Sequence, residues 1–310
     1  MKNKVTVVGA GFVGATCAQR IVEKDIANVV LLDVVEGLPQ GKALDIMESA
    51  PVEGFTAKIV GTNEYKDTEN SDIIVIVAGM ARKPGMSRDD LQIINAKIVN
   101  EVVMNVKDLS PNAIIIIVTN PLDVMTYLTF KISGFPGQRV IGMAGILDSA
   151  RYRYFISQAL GVTPNQVQAM VFGGHGDSMV PIPHYATVNG IPITQLLSKE
   201  KIEEINQRTK NGGAEIVGLL KMGSAYYAPS AAAVEMVKSI LYNENKILPC
   251  SVYLNGQYGL EDVYCGVPVK LSRKGVEKII ELELTKEEKL ALKKSSETVK
   301  ENIIKVMALY

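Results

Sequence analysis

Apolar residues in the first half of the chain fall in short unbroken runs: KVTVV (4–8), NVVLLD (28–33), DIIVIVAG (72–79), AIIIIVT (113–119) and RVIGM (139–143). A strand reads this way when both faces of its sheet are covered, and helix-length segments separate the runs. The pattern predicts a βαβ chain folded as a doubly wound parallel sheet. After about residue 145 the pattern changes to longer helical stretches interrupted by β-rich segments, QVQAMVFG (166–173) and HYATVNG (184–190), which predict a second, α+β lobe. The expected division is 1–144 and 145–310, with no internal repeat or low-complexity linker. The tail opens on a capping box, Thr285 with Glu288, and continues to Leu309 as a charged amphipathic helix with a solvated polar face.

Composition narrows the class. At 310 residues, with 47% hydrophobic and 21% charged positions, the chain can bury a core large enough for two lobes around a cleft, and disorder is excluded. Lys+Arg and Asp+Glu balance at 33 each, so no basic surface for nucleic acid or anionic lipid is indicated. The three cysteines, Cys17, Cys250 and Cys265, share no CxxC spacing, and their odd number fits no closed disulfide set. A reducing compartment is the simpler expectation. Lys2 and Lys4 precede an apolar run, but Gly9, Gly11 and Gly14 break it, and no apolar stretch is long enough to cross a membrane. A soluble, cytoplasmic protein is expected.

VTVVGAGFVG places Gly9, Gly11 and Gly14, with Ala10, Phe12 and Val13 between them, as G-x-G-x-x-G directly after the first strand. Such a turn lets backbone approach a pyrophosphate and faces a helix N-terminus toward its charge. Any tight strand-to-helix turn favours glycine, so the motif gains weight from Asp33, about 20 residues downstream at the end of the second strand. A carboxylate there accepts the ribose hydroxyls of an adenosine and repels a 2′-phosphate, which selects NAD over NADP.

Candidate chemistry gathers elsewhere. Of the two histidines, His175 lies between glycines in GGHGDS, just after a predicted strand, whereas His184 is expected in an alternating strand with a structural role. In GILDSARYR, Asp148 and Arg151 are spaced to project from one face of a helix. TNP (119–121) ends a buried strand at the expected ligand edge of the sheet, and ARKPGMSR (81–88) supplies Arg82 and Arg88 from a neighbouring loop.

Taken together, GAGFVGATCA, ARKPGMSR, TNPLDVMTY, GILDSARYR and GGHGDS resemble the lactate/malate dehydrogenase family over nearly the whole chain. The resemblance implies that His175 exchanges a proton with the substrate hydroxyl and that Asp148 orients its ring. It implies that Arg151 grips the carboxylate beside the reacting carbon and that Arg88 polarises the reacting carbonyl under a closed loop. Asn120 would touch substrate and nicotinamide, and Asn95 and Val118 the cofactor. Arg82 stands where lactate enzymes of the family resemble one another in having Gln, and Met86 where they carry an acid. Both departures favour a substrate with a second carboxylate, so malate and oxaloacetate are expected, with a lactate or broader 2-hydroxy-acid specificity as the alternative. An NAD-dependent glycosidase would need a metal held by Cys and His, and no cysteine accompanies His175 locally. An NAD-binding module without catalysis is opposed by the complete Asp148, Arg151 and His175 set. No metal site is expected. The family implies a homo-oligomer, a tetramer before a dimer, without the N-terminal intersubunit arm of the vertebrate-like lactate enzymes.

Overall fold

The computed structural model describes residues 2–80 and 87–310, with Arg88 described by its main chain alone. Arg82 and Met86 therefore lie outside the described residues, and Arg88 enters only as the first residue of a helix. The first half runs β1 (Lys4–Val8), α1 (Phe12–Glu23), β2 (Asn28–Leu32), α2 (Leu38–Glu53), β3 (Ile59–Thr62), β4 (Ile73–Ile76), α3 (Arg88–Val106), β5 (Ile114–Ile117), α4 (Leu122–Ser133) and β6 (Val140–Gly142). The second continues as α5 (Gly145–Leu160), β7 (Val167–Gln168), β8 (Val171–Phe172), β9 (Val180–Pro181), β10 (Thr187–Val188), β11 (Ile191–Pro192), α6 (Ile193–Leu196), α7 (Lys199–Leu220), α8 (Tyr227–Leu241), β12 (Ile247–Leu254), β13 (Val263–Ser272), β14 (Gly275–Ile279) and α9 (Lys286–Met307).

Strands β1 to β6 form a parallel sheet in the order β3-β2-β1-β4-β5-β6, the doubly wound arrangement whose ligand crevice lies at the carboxyl ends of the strands. The Val/Ile runs explain it: β4 and β5 are buried at every position, because helices cover both faces.

The sheet does not stop at the expected boundary. β12, β13 and β14 continue it as antiparallel strands, joined where Ser251 pairs with Gly142 at the end of β6. A Cβ on Gly142 would lie 2.8 Å from the Ser251 Cβ and 2.6 Å from a Leu122 methyl, so glycine is what permits this junction. The apolar-run pattern does not announce β12 and β13, because Pro249 and Pro268 interrupt them and in fact sit opposite one another.

Two predicted strands differ in detail. The 166–173 segment divides: Gln166 closes a short 3-10 turn, β7 joins β10 and β11, and β8 pairs with β9. His184 is in a 3-10 turn, Pro183–Tyr185, rather than in an alternating strand. Pro183 presets that turn, and the ring is held between Glu288 Oε1 at 2.8 Å and the Glu283 carbonyl at 3.1 Å. The Thr285–Glu288 capping box is formed, and α9 runs to Met307. All three cysteines are buried and free. Among the described residues no helix is long and apolar enough to cross a membrane, and no cluster of potential metal ligands occurs.

Candidate active site

The glycine turn between β1 and α1 is shaped for close approach. Gly9 has φ +106°, and a Cβ there would lie 2.7 Å from the Ala78 nitrogen. A Cβ on Gly14 would collide with the Gly9 carbonyl, whereas the space beside Gly11 is open. Gly11 stands at the N-cap of α1, and no side chain caps that N-terminus. Its dipole and first-turn amides are oriented for an anion. Asp33 follows β2, where its carboxylate accepts from the Ala10 N–H at 2.6 Å and the Val35 N–H at 3.0 Å. It thus ties the turn to the strand that positions it. These features fit the pyrophosphate and ribose of a dinucleotide.

Phe12 is 68% exposed and stacks on Tyr226, with ring centroids 5.3 Å apart, while Val13 is half-buried at the start of the same helix. Lys42, not foreseen in the sequence, donates to the Ala10 carbonyl at 2.7 Å and lies over the Phe12 ring.

At the neighbouring strand ends, Val118 is buried, its N–H bound to the Ile76 carbonyl, and Asn120 is exposed just beyond β5. Asn95 on α3 is only 1% exposed. It accepts from the Met80 N–H at 2.7 Å and donates to the Asn120 carbonyl at 2.7 Å. The side chain therefore braces the two backbone segments beside the crevice.

His175 follows β8 across two glycines that tight packing requires. Gly173 has φ +84°, and a Cβ on Gly174 would lie 2.7 Å from a Val299 methyl of α9. The chain thereby delivers the imidazole to α5, where His175 Nδ1 is 2.9 Å from Asp148 Oδ2. Asp148, 2% exposed, uses its other oxygen toward Arg151, with Nη1 at 3.5 Å. A carboxylate at Nδ1 fixes a proton there and leaves Nε2 to exchange one with a ligand. Burial alone would lower the His175 pKa, but the Asp148 charge and hydrogen bond, with Asp123 nearby, outweigh it and raise the imidazole above its ordinary value.

Arg151 is largely buried, which lowers its pKa, while Asp148 acts in the opposite direction. Its Nε has no hydrogen-bond partner among the described residues. A Cβ on Gly212 would approach the Arg151 Cδ at 3.1 Å, so the paired glycines Gly212 and Gly213 make the groove in α7 along which the guanidinium lies. Two consecutive glycines inside a helical pattern were the available signal for that role.

Of the expected residues, the fold brings His175, Asp148 and Arg151 into contact and sets Gly9 to Gly14 and Asp33 around one turn. A buried guanidinium with an unused donor, beside an imidazole backed by carboxylate, suits an anionic substrate that exchanges a proton while a dinucleotide exchanges hydride. Chemistry of this kind places the chain among the NAD-dependent dehydrogenases. Residues 3–142 match the lactate/malate dehydrogenase NAD binding domain, and residues 146–310 match the lactate/malate dehydrogenase alpha/beta C-terminal domain. The chain belongs to the lactate/malate dehydrogenase family.

Its relatives include a malate dehydrogenase of Roseiflexus sp. (strain RS-1), 54% identical over 309 residues with both chains fully covered. Another is a malate dehydrogenase of Chlorobium limicola, 57% identical over 99% of each chain. Among solved structures, malate dehydrogenase from Salinibacter ruber superposes with a TM-score of 0.95 at 50% identity, covering 99% of this chain and 98% of that one. Lactate dehydrogenase from Cryptosporidium parvum, complexed with lactic acid and NAD, gives 0.96 at 41% identity, with 99% and 98% covered. The fold alone therefore does not separate the two substrate classes.

Proposed function

We propose that this protein catalyses the reversible oxidation of (S)-malate to oxaloacetate with NAD. The observation that carries the chemistry is the Asp148 carboxylate, which reaches His175 through one oxygen and Arg151 through the other. NAD supplies the hydride acceptor when bound, with Gly9, Ala10, Gly11, Phe12, Val13, Gly14 and Asp33 holding its phosphates and adenosine, and Asn95, Val118 and Asn120 serving the nicotinamide end. In malate oxidation His175 Nε2 takes the hydroxyl proton as the C2–H bond is broken, and Asp148 stabilises the imidazolium that results. Oxaloacetate reduction returns that proton. Arg151 binds the C1 carboxylate through its planar fork, which a lysine could not reproduce. Arg88 polarises the C2 oxygen, and Arg82 meets the C4 carboxylate that pyruvate lacks. Residues 1–144 thus hold the dinucleotide and lend Arg82, Arg88 and Asn120 to the substrate, and 145–310 supply the proton-transfer pair and Arg151, in a cytoplasmic homo-oligomer, a tetramer before a dimer.

Initial rates of NADH oxidation with oxaloacetate and with pyruvate, on the unmutated protein and on Arg82→Gln, test the assignment. Stranding one member of a buried charged pair costs about 2–5 kcal/mol. Pyruvate is therefore disfavoured by roughly 30-fold to a few thousand-fold, and Arg82→Gln removes most of that preference. Comparable rates on both substrates before mutation would leave a general 2-hydroxy-acid dehydrogenase.

The nucleotide turn has its own test. Gly14→Ala forces the turn apart at the Gly9 carbonyl, and overpacking of this sort costs about 1–3 kcal/mol. NADH binding followed by fluorescence is expected to weaken by roughly tenfold or more. Unaltered affinity would mean that this turn does not touch the cofactor.

A further inference from the structure

His175 is held by two carboxylates, and the second has no part in the scheme above. Asp123 lies in the first turn of α4, three positions after Asn120, and is 4% exposed. Its Oδ2 accepts from the His175 main-chain N–H at 2.7 Å, and its Oδ1 accepts from the Ser251 hydroxyl of β12 at 2.6 Å. An N–H can only donate, and the serine hydroxyl spends its proton on the second oxygen. Each oxygen thus accepts one hydrogen bond, an arrangement that favours the ionised carboxylate. Such a group would be expensive to bury without a compensating role, since removing a carboxylate from water strongly favours its neutral form.

We propose that Asp123 is a positioning residue for proton transfer: its buried carboxylate holds the main chain of His175 and lends a second negative charge to the protonated ring. Asp148 holds the ring from α5, and Asp123 holds the backbone from α4. Ring and main chain of the histidine are thus each held by a buried carboxylate. Because α4 begins just after Asn120, the same helical turn links the substrate end of β5 to the proton-transfer loop. Burial, with the charge of Asp148 beside it, leaves the Asp123 pKa raised, although the Ser251 and His175 hydrogen bonds and the imidazole act to lower it. The protonated imidazole and the carboxylate therefore stabilise each other.

Among the described residues, the surroundings contain little that could take over this role. From α5 the histidine faces Asp148 and Arg151, and the arginine opposes protonation. From α9 come Ser295, whose hydroxyl accepts from the Gly174 N–H at 2.8 Å, and the aliphatic Val299. From β13 comes Cys265, whose thiol is pushed well up by burial and by the charge of Asp123. Asp177 follows on the loop itself, with a partner of its own.

The inference rests on the dehydrogenase reading for its consequence, but its test needs no substrate. The chain has only two histidines, so imidazole NMR of the whole enzyme resolves their titrations, with His184→Gln assigning the signals. Asp123→Asn keeps an acceptor toward the His175 N–H and removes the charge. The expected result is a downward shift of the His175 midpoint relative to the unmutated enzyme. The acid limb of malate oxidation moves down in pH by the same amount, because a less basic histidine is deprotonated at lower pH. Ser251→Ala, a small trimming that leaves Asp123 in place, destabilises its ionised form and shifts His175 in the same direction by less. A His175 midpoint that stays put in Ser251→Ala, or in a folded Asp123→Asn, overturns the proposal and makes Asp123 a structural clamp. Failure on malate alone, with the NMR shift present, would instead indict the substrate assignment.

Discussion

His175→Asn is expected to lower kcat for oxaloacetate reduction by about 10² to 10⁴-fold while leaving NADH affinity unchanged. The imidazole is the one group in the Asp148–Arg151 cluster able to gain and lose a proton near neutrality. Its Nδ1 is committed to Asp148 at 2.9 Å, so Nε2 is the atom that faces the reaction. Asparagine occupies similar space and can hydrogen bond to Asp148, but it cannot carry the proton. Stopped-flow reduction under single-turnover conditions isolates the chemical step from product release. A variant retaining a third of the native rate would show that the proton travels by another route, and the Asp148–His175 pair would become a structural contact.

Arg151→Gln is expected to be nearly as damaging, with a different signature. The guanidinium lies in a groove floored by Gly212 and Gly213, its Nε without a partner among the described residues, and Asp148 at 3.5 Å is a charge that compensates it. Removing one side of a desolvated charge pair with the substrate carboxylate costs about 2–5 kcal/mol, or roughly 30-fold to a few thousand-fold in kcat/KM. Most of the loss is expected in KM, because the arginine binds a carboxylate that is unchanged by the reaction. NADH titration is the control, since the nucleotide turn lies on other elements. A loss confined to NADH affinity would remove Arg151 from the substrate site. His175→Asn and Arg151→Gln thus separate proton transfer from substrate grip, although both residues touch Asp148.

How far each feature could be read in advance depended on whether it was local. Unbroken Val/Ile runs and a glycine turn are short-range signals, so the parallel sheet, the nucleotide motif and the Thr285 cap were legible. Asp148 and Arg151 share one helix, and their side-by-side arrangement follows from helical spacing. Strand β12 was masked by Pro249 and β13 by Pro268, each of which argues locally against a central strand, although the fold sets the two opposite one another. His184 read as a strand residue because the apolar alternation around it continues through a turn that Pro183 initiates. Asp123 was passed over because a carboxylate at a helix start usually serves as a dipole partner, and nothing near it in sequence indicates a contact with residue 175.

By itself, then, the sequence determined the βαβ order of the first half, the dinucleotide turn, and the residue types that proton transfer and carboxylate binding require. Those properties depend on hydrophobic period, backbone freedom and side-chain chemistry, all of which are set within a few residues. Only the tertiary structure decided that one sheet passes from β6 into β12, that Gly212 and Gly213 make room for Arg151, and that α5 holds the His175 ring while α4, braced by β12, holds its main chain. Each of these depends on surfaces meeting from segments tens of residues apart, where a missing Cβ or one buried hydrogen bond settles the outcome and leaves no periodic trace in the chain.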